Sequence, residues 1–378
     1  MTAEIVIVGG GIAGASIAFH LASRGAKGVV LLEKGTICSG ETSKAGGFIQ
    51  THWDTLEEVR LIAWSRELFA NFGERVGGNC GFVRGGYLHV TGTEREPDVR
   101  RVHDMLIAEG LESNWLSPVE LLDVQPLLST KDLVGGAWEP SSGWADPVAA
   151  TRGLADAARA RGAEIREGVR VTKIAHANGA ITGVETTEGT IAARVVVNAA
   201  GAYAKQLHAV PELPLPIEVR RGQCGYMSRP NGLPQREIGF YDEVTGLYTH
   251  PAGDVNLIGR DRGMPFPPVD DPDHYVHEVD GKWIARAGLA LARRFPALGE
   301  SVIRRGVTGL YDFTPDDQPI IDGPFGVAGY YVAAGFSGVG FKSAPATGLG
   351  MAELILDGRA STVDIAHLRY LRFFARAN

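Results

Sequence analysis

The sequence predicts an α/β fold in which a parallel-sheet domain is joined to a second domain with a mainly antiparallel β-sheet. Three observations lead to this prediction. A strand, a glycine-rich turn and a helical pattern open the chain, two hairpin turns separate β-rich runs in its middle, and a helical pattern follows a second glycine-rich segment near its end. With 378 residues, 44% of them hydrophobic, the chain is long enough for two or three domains.

The opening segment is a βαβ unit that begins with the buried strand Ile5–Val8. In the G-x-G-x-x-G run that follows, Gly9 permits a tight turn, Gly11 lets the backbone approach a pyrophosphate, and Gly14 allows close helix packing. Glu33 closes the next apolar run, where its carboxylate would accept hydrogen bonds from ribose hydroxyls and repel a 2′-phosphate. The segment therefore predicts a Rossmann-like site for FAD or NAD rather than NADP.

The middle of the chain predicts one more helix and a β-meander. Asp146-Pro147 supplies an N-cap and a first-turn proline for a helix that runs to about residue 161, and Ile165–Val171 is predicted as the next strand. The turn signals Asn178-Gly179 and Glu188-Gly189 then predict three antiparallel strands. These end in Val195–Ala204, an apolar strand followed by small residues, as is typical of a chain that passes beneath a cofactor.

The last glycine-rich segment lies just before the predicted helix Ser343–Leu356, which ends at Gly358. Backbone N–H groups at this helix start would stabilise negative charge that develops on a flavin ring. The loop at residues 39–48 leads to another helix, for which Thr55 and Glu58 have the spacing of a capping box.

The order of these elements resembles the superfamily of D-amino-acid oxidase, glycine oxidase and sarcosine oxidase, and is most similar to sarcosine oxidases and their beta subunits. The motifs that carry the resemblance are VVVNAAGAYA, GLYDFTPDDQPIID and GFSGVGFKSAPATG. The resemblance covers essentially the whole chain. It implies FAD, an FAD-binding domain of the glutathione-reductase type assembled from residues 1–80, 145–212 and 305–378, and a substrate-binding domain from residues 81–144 and 213–304.

The fingerprint and the resemblance together predict three groups of cofactor contacts, which lie around the first glycine turn, in the loop at residues 39–48, and along the later motifs. The predicted residues are Gly9, Gly11, Ile12, Ala13, Gly14, Glu33, Lys34, Thr42, Ser43, Lys44, Gly46, Gly47, Val171, Ala200, Gly201, Gly338, Val339, Gly340, Phe341 and Lys342.

The sequence also departs from the family pattern. The arginines that hold a substrate carboxylate would fall near Gln50 in the sarcosine-oxidase type and near Tyr311 in the glycine-oxidase type, while Val339 replaces a histidine. Lys342 remains as a cation near the ring. The cysteine that tethers flavin would fall near Gly309, so the resemblance implies noncovalent FAD.

The predicted catalytic residues are Lys342, Tyr248, Gln50, Tyr311 and His250, with Tyr241, Arg260 and His52 as weaker candidates. Tyr248 falls near the position of the lysine that assists oxygen reduction in sarcosine oxidases. Because Tyr248 and His250 are two apart on a predicted strand, both could face the substrate. Pro251 indicates that His250 lies at a strand end, where it would be exposed.

The predicted function is oxidation of a C–N bond in a small amine or N-alkyl amino acid, by hydride transfer to flavin N5 and hydrolysis of the resulting imine. This chemistry needs no dedicated base. Two alternatives stay open: a 2-hydroxy-acid dehydrogenase, with His250 or His52 as the base, and a flavoprotein subunit of a heteromeric dehydrogenase. The electron acceptor, oxygen or another compound, and the choice between a homo-oligomer and a heteromeric complex also stay open.

Composition argues against other classes of protein. The net charge of −7 without basic runs gives no reason to expect nucleic acid as a partner. No run approaches the roughly 18 apolar residues of a membrane span, and we expect a cytoplasmic protein. Cys38, Cys80 and Cys224 form no C-x-x-C pair, and the histidines do not cluster, so neither disulfides nor a metal site are predicted.

Overall fold

The fold is that of a computed structural model, which describes residues 2–233, 236, 238–260 and 266–374, without the side chain of Arg260. The strands are β1 (Thr2–Val8), β2 (Val29–Glu33), β3 (Phe48–Ile49), β4 (Tyr87–Thr91), β5 (Asn114–Leu116), β6 (Gly135–Glu139), β7 (Gly143–Trp144), β8 (Glu164–Glu167), β9 (Val171–Ala177), β10 (Ala180–Thr186), β11 (Gly189–Asn198), β12 (Glu218–Ser228), β13 (Gly239–Asp242), β14 (Leu247–Ala252), β15 (Val255–Arg260), β16 (Ile303–Phe313), β17 (Ile320–Asp322) and β18 (Tyr330–Ala334). The helices are α1 (Ile12–Ser23), α2 (Leu56–Ala70), α3 (Phe72–Arg75), α4 (Glu96–Ala108), α5 (Leu121–Val124), α6 (Pro147–Ala160), α7 (Gly281–Arg294) and α8 (Gly340–Asp357).

The first sheet has the strand order β17-β18-β11-β1-β2-β8, and all neighbours except β17 and β18 are parallel. β9 and β10 continue from β11 as an antiparallel meander. Asn178 and Gly179, which join β9 to β10, have φ angles of 51° and 76°, as a two-residue hairpin turn requires. The predicted Rossmann-like unit and meander are confirmed.

One predicted strand is wrong in its extent. Instead of a single strand at Ile165–Val171, the chain forms β8 beside β2 and then starts β9 at Val171. Gly168 separates them with a φ of 76°, a left-handed conformation that turns the chain from the parallel sheet into the meander.

Helices α1, α2, α6 and α8 pack in one hydrophobic core against the first sheet. α1 and α8 approach closely because Gly348 has no side chain: a Cβ there would lie 2.1 Å from Ser16 Oγ. The predicted caps are confirmed, since Asp146 accepts hydrogen bonds from the first turn of α6 and Thr55 from Glu58 N. α8 begins three residues before the predicted start and ends, as predicted, at Gly358.

The second sheet has the order β16-β12-β15-β14-β13-β4-β6-β5 and is antiparallel except between β13 and β4, which confirms the predicted mainly antiparallel sheet. α7 packs on it through a separate core. The expected domain boundary at residue 305 falls inside β16, whose whole length pairs with β12. The division into two domains stays a prediction. Within the described residues, no helix is both long and apolar enough to cross a membrane.

Candidate functional site

A continuous cavity of about 1250 Å³ lies between the two sheets. Its wall includes the ends of β1 and β2, the loop at residues 39–48, parts of β14 and β16, and the start of α8. The carboxyl ends of parallel strands commonly form such a crevice in open α/β sheets.

One end of the cavity is formed by the first glycine turn. Gly9 has a φ of 110°, and a Cβ there would lie 2.4 Å from Ala199 O. A Cβ on Gly14 would lie 2.0 Å from Gly9 O, so neither position admits a side chain without moving backbone. Beside this turn, Thr42 Oγ1 accepts a hydrogen bond of 3.2 Å from Ile12 N. The start of α1 therefore faces the cavity, with Ala199 and Thr42 close to the backbone of the turn that leads into it.

Glu33 lies at the same end. Its two oxygens accept hydrogen bonds of 2.7 Å from the backbone N–H groups of Gly10 and Gly35. A carboxylate oxygen has two lone pairs, so each oxygen can also accept from a ligand hydroxyl.

The segment at residues 272–277 contributes to the cavity wall at this end. Asp273 links it by hydrogen bonds to residues that lie next to the first sheet. Its carboxylate accepts from Lys34 Nζ at 2.9 Å, Arg170 Nη1 at 3.0 Å and Tyr203 Oη at 2.7 Å. Arg170 first, then Lys34 and Tyr203, hold the pKa of Asp273 far below its usual value. This ion-pair cluster is partly exposed, with 36% of the Asp273 side chain accessible.

The other end of the cavity is formed by β16 and the segment that leads into α8. Gly335 N donates a 2.7 Å hydrogen bond to Asp312, and burial raises the pKa of Asp312 to about 6. Ser337 and Gly338 have φ angles of 50° and 96°, so the chain makes a tight turn immediately before the helix. This turn brings the glycines and Lys342 to the cavity wall.

Lys342 is a buried cation in that wall, with only 6% of its surface exposed. Burial lowers the pKa of its amine to about 8, and the carboxylate of Glu58 opposes this shift. Burial in turn raises the pKa of Glu58 to about 7. Lys342 Nζ lies 4.5 Å from the ring centroid of Trp53. At neutral pH the cavity therefore holds a lysine that is mainly charged and poorly solvated.

Residues 50–52 form the adjacent wall and are fixed from behind by Glu139, which is fully buried. Glu139 accepts hydrogen bonds from Thr51 N at 2.8 Å, His52 N at 3.0 Å and Ser142 Oγ at 2.7 Å. Gln50 and His52 line the cavity. Their atoms Oε1 and Nδ1 are buried and have no hydrogen-bond partner among the described residues.

Aromatic rings complete this end. The Phe48 ring makes edge-to-face contacts with Tyr87 at 6.0 Å and Tyr248 at 5.8 Å between centroids. His89 packs against Tyr241 at 4.8 Å and His52 at 4.1 Å. The result is a largely aromatic chamber with polar and charged side chains set among the rings, the usual composition of a small-molecule site.

The family model DAO, described as FAD dependent oxidoreductase, matches residues 4–354. The chain belongs to this family. Among DAO-family relatives, human mitochondrial sarcosine dehydrogenase is 28% identical over 368 residues, which cover 95% of this chain and 40% of that protein. Glycine oxidase from Geobacillus kaustophilus is 29% identical over 383 residues, which cover 99% of this chain and 98% of that one.

The solved structure of L-proline dehydrogenase from P. horikoshii has a TM-score of 0.90 and 30% identity, and the match covers 99% of this chain and 98% of that one. The chain spans about 40% of the length of the sarcosine dehydrogenases it matches. The predicted family and fold class are confirmed.

The cavity fits the FAD of this family. Side chains at Gly9 and Gly14 are excluded by backbone, the start of α1 faces the cavity, and Glu33 offers acceptors to ribose hydroxyls. At the far end, the positive start of α8 and the buried Gln50 Oε1 provide polar groups where a flavin ring would lie.

Most of the predicted cofactor residues line the cavity, namely Gly9, Gly11, Ile12, Ala13, Glu33, Lys34, Thr42, Lys44, Gly46, Gly47, Val171, Ala200, Gly201, Gly338, Gly340, Phe341 and Lys342. Gly14, Ser43 and Val339 are not in the wall. Gly14 packs beneath Gly9, Ser43 Oγ donates to Gly40 O, and Val339 is buried with its carbonyl accepting from Ser343.

Among the predicted catalytic residues, Lys342, Gln50, Tyr248 and Tyr311 line the cavity, whereas His250 does not. The expectation that His250 is exposed is wrong, because its ring stacks on Trp144 at 4.8 Å. Its Nε2 atom lies 2.8 Å from Gly46 O. His250 thus supports the loop at residues 39–48 from outside the cavity wall. The weaker candidates Tyr241 and His52 are in the wall, and the side chain of Arg260 lies outside the described residues.

Among the residues of the wall that sequence reasoning missed are Trp53, His89, Arg95 and Glu243. The alternation of β4, which turns residues 87 and 89 to the same face, was a usable signal for His89. Its partner Glu243 is 154 positions away, and no local pattern indicates that contact.

Proposed function

We propose that the chain oxidises a C–N bond of a small amine or N-alkyl amino acid, by hydride transfer to N5 of FAD, to an imine that hydrolyses. FAD supplies the hydride acceptor when bound. The observation that carries the proposal is the buried Lys342, which lines the same cavity as Gln50 and a group of aromatic rings. Relatives named as sarcosine dehydrogenase, glycine oxidase and L-proline dehydrogenase support an amine substrate.

Lys342 and Gln50 suit a substrate carboxylate. A desolvated ammonium group forms strong, charge-assisted hydrogen bonds with a carboxylate. The two ends of an amide are interchangeable by rotation, so Gln50, whose Oε1 has no partner among the described residues, can turn an N–H group toward the same carboxylate. These two residues would replace the arginines that the family resemblance leads one to expect. The substrate amine would then face the aromatic rings, where a neutral amine is favoured over an ammonium ion.

We further propose that FAD is held without a covalent bond. The position that the resemblance assigns to the tethering cysteine is Gly309, and a Cβ there would lie 2.9 Å from Glu41 Oε2. Cys224 also lines the cavity, but burial raises the pKa of its thiol to about 11, which keeps it in the unreactive thiol form at neutral pH. Denaturation in acid should release all of the flavin into solution, and flavin that stays with the precipitated protein would contradict this.

A second candidate is a flavoprotein unit of a larger assembly. It is favoured by one observation: curated relatives such as sarcosine dehydrogenase are more than twice as long as the matched segment. One relative at 29% identity is named as a regulatory subunit of pyruvate dehydrogenase phosphatase. The mass of the protein from its native source, measured together with its amine-dependent flavin reduction, separates an assembly unit from a self-sufficient enzyme.

The test of the proposed function is anaerobic titration of the FAD-loaded protein with sarcosine, dimethylglycine, glycine, L-proline and pyrrolidine, with L-lactate and D-lactate as the hydroxy-acid arm. We expect at least one amine to bleach the visible flavin band and neither lactate to do so. Reduction by lactate alone would replace the amine by an alcohol. If no amine reduces the flavin, the proposal fails. Readmission of air or of an artificial acceptor then identifies the route of reoxidation.

A further inference from the structure

A buried carboxylate holds a histidine in the wall of the substrate chamber. His89 Nε2 lies 3.0 Å from Glu243 Oε1, and each side chain is only 11% exposed. Because an ionised carboxylate can only accept, Nε2 carries the hydrogen of this bond and Nδ1 carries the lone pair. A carboxylate that binds one imidazole nitrogen fixes the tautomer and stabilises the protonated ring. His89 thus has the arrangement of a proton acceptor.

The neighbouring histidine, His52, lacks this arrangement. His52 lies 4.1 Å from His89 between ring centroids, and its Nδ1 has no hydrogen-bond partner among the described residues. Burial, followed by the proximity of His89, holds the pKa of His52 well below its usual range. Two imidazoles this close cannot both be charged at low cost, and His89 is the one that has a carboxylate partner.

The other polar groups around the pair are compatible with this assignment. Tyr241 and Tyr87 both pack on His89, with ring centroids 4.8 Å and 6.4 Å away. Glu139 accepts a hydrogen bond from the backbone of His52. Arg95 Nε lies 3.7 Å from the second oxygen of Glu243 and its Nη1 lies 2.5 Å from Asp98. Arg95 and Asp98 are both more than 40% exposed, so the charged cluster extends from the chamber to solvent.

We propose that His89, held by Glu243, accepts the proton that a substrate ammonium group must lose before its α-hydrogen leaves as hydride. The proposal rests on the proposed function. In this step the N–H bond of the ammonium breaks, its electron pair returns to nitrogen, and the proton binds His89 Nδ1. No oxidant is consumed. The nitrogen lone pair then supports the cationic iminium carbon as the hydride leaves for the flavin.

At neutral pH alkyl amines are largely protonated, so the substrate must lose a proton before it can be oxidised. Burial in the chamber favours the neutral amine, but the released proton still needs an acceptor. The sequence-based prediction of a reaction without a dedicated base is therefore revised. The proposed base acts on the substrate nitrogen and leaves the C–H bond untouched.

The test compares FAD-loaded wild type, His89→Asn, Glu243→Gln and the control His176→Asn, whose exposed side chain lies on β9. Anaerobic flavin reduction by the best amine of the panel is followed from acid to alkaline pH. At pH 7 we expect His89→Asn to lower the second-order rate of reduction by about 100-fold, as for loss of a general base, with partial rescue by added imidazole. Glu243→Gln should have a smaller effect. The difference in rate between wild type and His89→Asn should shrink as the pH rises and the amine in solution becomes neutral.

Three outcomes would overturn the proposal. A His89→Asn profile identical to wild type removes the role of His89 while the proposed function stands. A loss of equal size at every pH, without imidazole rescue, identifies a purely structural role. A wild-type flavin that no amine reduces overturns the proposed function together with this proposal. If His89→Asn fails to retain flavin, the Glu243→Gln profile decides in the same way.

Discussion

The two ends of the cavity are built by different means. At the glycine turn the backbone forms the site, and Gly9 and Gly14 are enclosed so tightly that backbone atoms lie 2.4 Å and 2.0 Å from where a side chain would begin. At the chamber end, buried side chains such as Lys342 and Gln50 line the cavity. We therefore expect the first end to tolerate almost no change of shape, and the second to be sensitive to charge and protonation.

The largest effect is expected at the glycine end. Gly14→Ala would place a methyl group 2.0 Å from Gly9 O and separate α1 from the turn that we expect to bind the pyrophosphate. We expect purified Gly14→Ala protein to contain essentially no flavin, as measured by its visible absorbance. Gly288→Ala is the matched control, because no atom lies within 4 Å of its added methyl group. Normal flavin content in Gly14→Ala would show that this packing is dispensable.

A change of charge at the chamber end should weaken substrate without removing the cofactor. Lys342→Met keeps the length of the side chain but removes the charged hydrogen-bond donor, whose contribution of roughly 1.5–3 kcal/mol corresponds to a loss of about 10- to 100-fold in affinity. We expect this loss for L-proline and none for pyrrolidine, which lacks the carboxylate. Lys282→Met, on the exposed face of α7, serves as the control. An equal loss for both ligands would contradict carboxylate recognition by Lys342.

Binding of a carboxylate by Lys342 should also depend on pH. With a pKa of about 8, Lys342 is charged below that pH and loses its proton above it. Binding of pyrrole-2-carboxylate, which has no basic amine, should therefore be strongest below pH 8 and weaken toward tenfold per pH unit above it. Perturbation of the flavin spectrum reports this binding. An affinity that does not change between pH 7 and pH 9.5 would exclude a role for the Lys342 charge.

The smallest effect is expected from the ion-pair cluster at the nucleotide end. Because Asp273 is partly exposed, its pairs with Lys34 and Arg170 should contribute at most about 1 kcal/mol. Asp273→Asn should increase the dissociation constant of FAD roughly two- to fivefold, and less at high salt. Asp270→Asn removes the same charge from an exposed neighbour. Equal dissociation constants for the two variants would show that the cluster does not retain FAD.

The two ends also differ in how far the sequence predicts them. The strand, glycine turn, α1 and Glu33 are contiguous, so local spacing was sufficient to predict them. His250 was wrongly expected to be exposed, because Trp144, which covers it, lies on β7, which pairs with β3 in a separate two-stranded sheet. His89 was missed and Glu139 was not considered, because their partners are about 90 to 150 positions away. Contacts of that range depend on strand pairing, which periodicity alone does not specify.

The most direct test of the central claim is the rate of anaerobic flavin reduction by an amine substrate and by the same compound deuterated at the carbons next to nitrogen. In a single turnover this rate reports cleavage of the C–H bond. We predict that the deuterated amine reduces the flavin more slowly, while deuterium at more distant carbons has no such effect. Equal rates for the labelled and unlabelled substrates would contradict hydride transfer from the carbon attached to nitrogen.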